Sequence, residues 1–247
     1  MGNPQNVYDD PSFYAGYRAL RETGSGLNEA IEQPALFSVL PASLAGLRVL
    51  DLGCGFGDFA RKARALGAGS VLAIDVSARM LERAAALTDD AAITYRRAAI
   101  ETLTATPGGF DLVVSSLALH YVADYAAAVD TVASLLAPGG RFAFSVEHPI
   151  CTAVAAQRWI ADETGTERAW PVDDYRDEGP RATRWFVDGV IKYHRTVETY
   201  VEALLRAGFA LRHLREPGPV EGAAAQRVPK LDLHRRRPPF LVIAADR

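Results

Sequence analysis

The sequence predicts an α/β fold built on a doubly wound, mostly parallel sheet of about seven strands. Three observations carry that expectation. Apolar runs of strand length alternate with helix-period stretches from residue 47 to 145. The first of those runs ends in a glycine-rich turn, where such folds bind ligands. The chain is also long enough, at 247 residues, 49% of them apolar and 23% charged, for one enlarged domain with a full-sized core.

The elements follow in order. Ser12–Glu22 and Asn28–Leu40 read as two N-terminal helices, the second closed by Pro41. Arg48–Leu52 is a buried strand, followed by a helix over Phe59–Leu66. Val71–Ile74 is the second strand, and Ala78–Leu87 the second helix of the alternation, with Ser77 as its N-cap. Ile93–Arg97 and Phe110–Ser115 are the third and fourth strands. Tyr125–Leu136 is a helix ended by Pro138-Gly139-Gly140, and Arg141–Val146 is the fifth strand. The alternation then stops. Pro149–Val190 carries Pro, Gly and paired acids without a clean period, and reads as an insertion. Val197–Ala207 is helical, and Phe209–Leu214 and Phe240–Ala244 are the last strands.

The sharpest feature is VLDLGCGFGDFA, Val49–Ala60. Gly53, Gly55 and Gly57 permit the left-handed backbone and the close ligand approach that a strand-to-helix turn requires. Asp51 closes the first strand. Asp75 closes the second, where a doubly wound fold places a carboxylate for ribose hydroxyls. A dinucleotide fingerprint would need glycine at position 58, which is Asp58; a carboxylate there opposes a pyrophosphate at a helix N-terminus. The site suits a nucleoside that carries an ammonium and a sulfonium.

These residues resemble the class I S-adenosylmethionine-dependent methyltransferases of the bacterial small-molecule type. VLDLGCGFG is similar to that family's first motif, and AIDVSARML (Ala73–Leu81) to its second. RRAAIETL (Arg96–Leu103) lies where the family has its adenine-edge loop, with Ala99 in place of a common Asp. FDLVVSSLALHYV (Phe110–Val122) and LAPGGRFAFS (Ala137–Ser145) resemble the later motifs. The resemblance implies S-adenosyl-L-methionine as cofactor and S-adenosyl-L-homocysteine as product. It implies a sheet in the order 3-2-1-4-5-7-6 with the last strand antiparallel. It also implies cofactor contacts from Asp51, Gly53, Cys54, Gly55, Gly57, Asp75, Val76, Met80, Ile100, Glu101 and Ser115, with Met80 against the adenine. Tyr17 and Arg18 are carried over as contacts to the methionine carboxylate. Residues 1–46 are expected to close over the cofactor, 47–148 and 193–247 to form the core, and 149–192 to form an inserted lid.

Methyl transfer from a sulfonium is an in-line displacement that needs alignment and, for some acceptors, a base. His120, His148 and His194 fall near the expected pocket and titrate near neutrality, so they are the candidate catalytic residues. The insertion holds all three tryptophans, Trp159, Trp170 and Trp185, and between Ala155 and Val190 it carries eight acids against five arginines. Aromatic residues concentrated there suit a lid over a small apolar or aromatic acceptor. A satellite core or a homodimer interface would use the same composition.

Other readings are weighed on the same residues. Residues 206–237 carry eight basic groups against three acids, but they join no recognisable nucleic-acid module, so nucleic acid is not the expected partner. Ser115-Ser116-Leu117-Ala118 also lacks the Asn/Asp-Pro-Pro-aromatic segment of base-amino methyltransferases. A nucleic-acid or protein methyltransferase on the same fold and a non-enzymatic S-adenosylmethionine-binding protein remain open. Two cysteines, Cys54 and Cys151, form neither a disulfide framework nor a zinc set, so no metal is expected. A net charge of −3, no secretory h-region and no apolar span point to a cytoplasmic protein without membrane contact.

Overall fold

A computed structural model of the chain describes residues 5–222 and 225–247. The N-terminal part holds α1 (Pro11–Thr23), a π-helical turn (Asn28–Glu32) and α2 (Gln33–Phe37). The alternating part follows: β1 (Arg48–Leu52), α3 (Asp58–Ala65), β2 (Ser70–Asp75), α4 (Ala78–Ala86), β3 (Ile93–Arg97), β4 (Phe110–Ser116), α5 (Tyr125–Leu135) and β5 (Leu136–Glu147). Then come α6 (Pro149–Thr152), β6 (Ile160–Ala161), β7 (Glu167–Ala169), β8 (Gly179–Trp185), β9 (Val187–His194), α7 (Val197–Arg206), β10 (Ala210–Arg215) and β11 (Phe240–Asp246).

Seven strands form one sheet in the order β10-β11-β5-β4-β1-β2-β3. The pairs among β1 to β5 are parallel, and β11 runs antiparallel to both β5 and β10. Counted along the chain, this is the order 3-2-1-4-5-7-6 expected of the family. Both faces of the sheet are covered, which is why its strands read as continuous apolar runs. Leu50, Leu52, Val113, Phe142 and Phe144 face α5 and α7 with Tyr200 and Leu204. Their neighbours Val49, Leu112, Val114 and Ala143 face the other way, with Phe59, Ala60 and Ala63 of α3 and Leu36 of α2. Each large side chain so buried contributes roughly 1.5–3 kcal/mol, and this is what fixes the register.

Three local expectations are corrected. The second N-terminal helix is a π turn running into a five-residue α-helix, and it ends at Phe37 rather than Leu40. The helix before β5 ends at Leu135, and Pro138-Gly139-Gly140 belongs to an irregular lead-in of the strand, where pairing jumps between Phe110 and Leu112. The insertion is ordered: a short helix and two antiparallel hairpins, β6–β7 and β8–β9. No helix among the described residues is long and apolar enough to cross a membrane.

Parallel strands place the carboxyl ends of β1, β2, β4 and β5 at one edge. Residues 5–37, the loops after those strands and the β8–β9 hairpin converge there.

Candidate active site

The glycine turn between β1 and α3 is built by its own backbone. Gly53 and Cys54 donate N–H bonds to the Ile74 carbonyl, both at 2.9 Å, pinning the turn to β2. Gly53 has φ +73°, and a Cβ there would strike Ala118. Gly57, at φ +74°, is the N-cap of α3 and lies against the Tyr95 hydroxyl. Gly55, by contrast, faces open space: a Cβ at that position would have the Tyr17 hydroxyl as its nearest neighbour, at 3.8 Å. Asp75 completes the frame: Oδ2 accepts from Gly55 N–H and Oδ1 from Ser77 N–H, each at 2.9 Å.

Beside this turn is a cavity of about 500 Å³. Of the sequence-expected residues, Tyr17, Asp51, Gly53, Cys54, Gly55, Asp75, Val76, Ile100, Glu101 and His120 line it. Six others do not. Arg18 is on the outer side of α1, paired with Glu22 at 2.6 Å. Gly57 serves the helix cap. Met80 is fully buried beneath α4, so Val76, Ala98 and Ile100 form that part of the wall instead. Ser115 Oγ donates to the Leu52 carbonyl at 3.1 Å, and Ser116 is the residue that reaches the cavity.

His148 and His194 are also outside the wall. The ring of His148 accepts Ile150 N–H at Nδ1 (3.1 Å), capping α6, and meets Glu216 at 2.7 Å through Nε2. His194 donates Nε2–H to the Tyr175 carbonyl (2.9 Å) and meets the Thr152 hydroxyl at 2.8 Å. Both are engaged in holding the insertion to the core. His120 differs. It lines the cavity, its Nδ1 accepts the Glu147 N–H at 3.4 Å, and the ring proton therefore sits on Nε2. Burial pushes its pKa down to about 4, so it is a neutral hydrogen-bond donor toward the cavity and a poor base.

Arg21, Tyr8 and Tyr121 are wall residues that escape sequence reasoning, whereas Trp185 belongs to the aromatic insertion expected over the acceptor. Arg21, one turn after Tyr17, lies on the same face of α1 and pairs with Asp58 at 2.6 Å. That i, i+4 spacing is the available signal for preferring it to Arg18. Tyr8, Tyr121 and Trp185 supply aromatic edges; Tyr8 meets Tyr17 and Tyr121 at 5.4 and 6.1 Å, and Trp185 meets Tyr17 at 6.0 Å. Of the three tryptophans, Trp185 alone is in the wall. Trp159 and Trp170 pack on each other at 5.5 Å and stack with Arg237.

The electrostatics identify what the cavity lacks. Asp51 is 1% exposed, and its Oδ2 has no hydrogen-bond partner among the described residues. Burial, then Asp75 and Asp58, raise its pKa to about 8. Glu32, from the π turn, is fully buried as well; Oε1 accepts from Ser116 and Ser145 at 2.9 and 2.5 Å, while Oε2 is unpartnered. Burial raises its pKa despite those bonds. An orphaned acid at the wall beside an open glycine cradle is a fit for a cationic nucleoside, and a misfit for a pyrophosphate.

Comparison with known proteins agrees with this geometry. Residues 49–140 match the family model described as a methyltransferase domain. The crystal structure of an S-adenosylmethionine-dependent methyltransferase from Mesorhizobium loti is 49% identical, covers 90% of this chain and all of that one, and superposes with a TM-score of 0.82. An uncharacterised protein of Haemophilus influenzae is 34% identical across 88% of both chains. A ubiquinone biosynthesis O-methyltransferase of Ralstonia nicotianae is 40% identical over 43% of this chain and 46% of its own length.

Proposed function

The chain belongs to the class I S-adenosylmethionine-dependent methyltransferases, and on that premise we propose that it methylates a small apolar or aromatic molecule. The observation that carries this reading is the continuity of one cavity from the glycine turn to a wall of Tyr8, Tyr121, Trp185 and Phe240. Such a wall excludes water and holds a flat apolar body. The match to an O-methyltransferase supports oxygen as the accepting atom. Nitrogen or carbon would need no different wall.

Bound S-adenosylmethionine supplies an electrophilic methyl group on a positively charged sulfur. The chain's part is to bind, align and desolvate. In this reading Asp75 takes the ribose hydroxyls, Val76 and Ile100 flank the base with Glu101 at its edge, and the backbone of Gly53 to Gly55 lies along the amino-acid portion. Asp51 receives the ammonium, and Tyr17 with Arg21 the carboxylate. His120 offers Nε2–H to orient the acceptor, and Trp185 covers it.

Asp51 makes the assignment testable by pH. Its folded pKa of about 8 leaves it protonated at neutrality, and a cationic ligand favours the ionised form. Cofactor affinity is therefore expected to rise as pH goes from 6.5 to 8, with proton release visible as a buffer-dependent calorimetric heat. Asp51→Asn should flatten that dependence. A flat wild-type profile would remove Asp51 from the ammonium site.

The activity itself is tested by incubating the protein with methyl-labelled S-adenosylmethionine and a fractionated metabolite extract. Label is expected in a low-mass apolar fraction. Label confined to RNA or protein would overturn the reading.

A further inference from the structure

We propose that Phe186 is the latch of a gate over the cofactor. Its ring, at the tip of the β8–β9 hairpin, seats in a notch at Gly16 of α1 and ties the two covers of the cavity into one moving unit. The proposal goes beyond the acceptor reading above and holds whatever molecule is methylated.

Helix α1 supplies Tyr17, Leu20 and Arg21 to the cavity wall, yet it is lightly attached to the core. Among the described residues, the buried core clusters take in no side chain of α1. Phe13 is its one fully buried side chain. The rings around it are Tyr8, Trp185 and Phe186, at centroid distances of 4.8, 5.3 and 5.4 Å, and two of these three belong to the hairpin. Ahead of the helix, the Gln5 side chain pairs with both backbone groups of Ile191 on β9, accepting at 2.8 Å and donating at 3.2 Å. Links to the rest of the protein are lighter. Tyr14 and Tyr17 meet Phe56 edge-on, and the polar pairs Arg21–Asp58 (2.6 Å) and Asp9–Ser77 (2.5 Å) are of a kind that water readily replaces.

Two backbone choices mark the contact. Gly16 sits in the middle of a helix, where alanine is the favoured residue. A Cβ there would stand 2.5 Å from Phe186 Cδ1 and 2.8 Å from Cγ, so the glycine is the space that the ring occupies. Phe186 in turn forms the one-residue turn between the paired Trp185 and Val187, at φ +60°, a left-handed conformation that aromatic residues seldom adopt. Each choice is unfavourable by itself, and the contact between them offsets both.

The latch stands outside the cavity. Phe13, Gly16 and Phe186 do not line it, whereas their neighbours Tyr17 and Trp185 do. The latch contacts are therefore the same for any ligand, and they govern how often the cover opens rather than how well a ligand fits. Tyr17 stands over Gly55 and its ring meets Trp185 at 6.0 Å, so the covers over cofactor and acceptor open together.

The test is stopped-flow kinetics with S-adenosylhomocysteine alone, which keeps it separate from the acceptor reading. Gly16→Ala displaces the ring while improving the helix, and Phe186→Gly removes the ring while easing the turn. Both should keep Tm within a few degrees of the wild type. In each variant association and dissociation should both quicken, on the order of tenfold, with Kd held within about twofold, because only the open fraction has changed. Amide hydrogen exchange along α1 should quicken with them. Gly16→Ala/Phe186→Gly should be no faster than the faster single variant, since both remove one contact. Unchanged rates in both single variants would overturn the proposal. So would faster dissociation alone with Kd weakened to match, which would make Phe186 part of the ligand's own wall. Effects that multiply in the double variant would overturn it as well, because the two residues would then act through separate contacts.

Discussion

Asp75→Ala is expected to weaken S-adenosylhomocysteine binding by about 2 kcal/mol, or roughly thirtyfold, the scale of hydrogen bonds lost from a charged group. The carboxylate stands at the end of β2, 9% exposed, and burial raises its pKa against the pull of its N–H donors. Those two donors, Gly55 N–H and Ser77 N–H, use one lone pair on each oxygen. The remaining pairs are the ones available to ribose hydroxyls. Substitution by alanine therefore removes the ligand's acceptor and releases the turn at Gly55 together. Asp75→Asn separates the two effects: its amide can accept from one backbone N–H but presents NH2 to the other, so it should lose affinity nearly as fully while keeping the fold. Isothermal titration with a thermal-melt control decides the matter. An unchanged dissociation constant in a folded variant would take Asp75 out of the ribose site.

How far the sequence reaches depends on the kind of signal. β1 and β3 lie at Arg48–Leu52 and Ile93–Arg97 as expected, because short buried runs are bounded by turn residues that act locally. The glycine turn is legible for the same reason: left-handed backbone at Gly53, Gly55 and Gly57 is a local demand. The hairpins of the insertion are not, since β8 and β9 alternate weakly and their register depends on pairing across the chain. Side-chain direction beyond a strand end is illegible too. Glu147 and His148 are neighbours, yet Glu147 lines the cavity, its carboxylate held by Lys192 and Gln157, while the imidazole of His148 turns away to cap α6. His148 is the attractive choice by chemistry, but the one-residue alternation at the end of β5 gives the place to Glu147. His234, which also lines the cavity, is hidden differently, in a basic run whose charge masks its imidazole.

Lys192→Met is expected to destabilise the protein by about 3–5 kcal/mol at neutral pH, the cost of leaving a buried charge without its partner. Lys192 is 3% exposed, and its Nζ donates to Glu147 Oε1 at 2.6 Å and to Gln157 Oε1 at 3.2 Å. Gln157 returns a bond to Glu147 Oε2 at 3.1 Å, closing a triangle between β5, β9 and the segment after α6. The ammonium also lies 5.6 Å from the Trp185 ring centroid, so the same cation steadies the cavity wall. Burial works to raise the Glu147 pKa, but Lys192, the His120 ring and the Gln157 bond outweigh it and hold the carboxyl below its ordinary value. A lowered pKa gives stability that is present above the ordinary glutamate range and is lost as pH falls through the folded value. Removing Lys192 reverses the sign. Burial is then unopposed, the folded carboxyl titrates above the unfolded one, and protonation relieves the variant. The deficit of Lys192→Met should therefore narrow as pH falls from 7.5 to 5, in urea unfolding run at each pH. Glu147→Gln/Lys192→Met should recover most of the loss at pH 7.5, because the charge that made the vacancy costly is gone. A deficit that is constant with pH, or a double variant as unstable as the sum of its parts, would show that Lys192 matters through its packing on Trp185 rather than through the carboxylate.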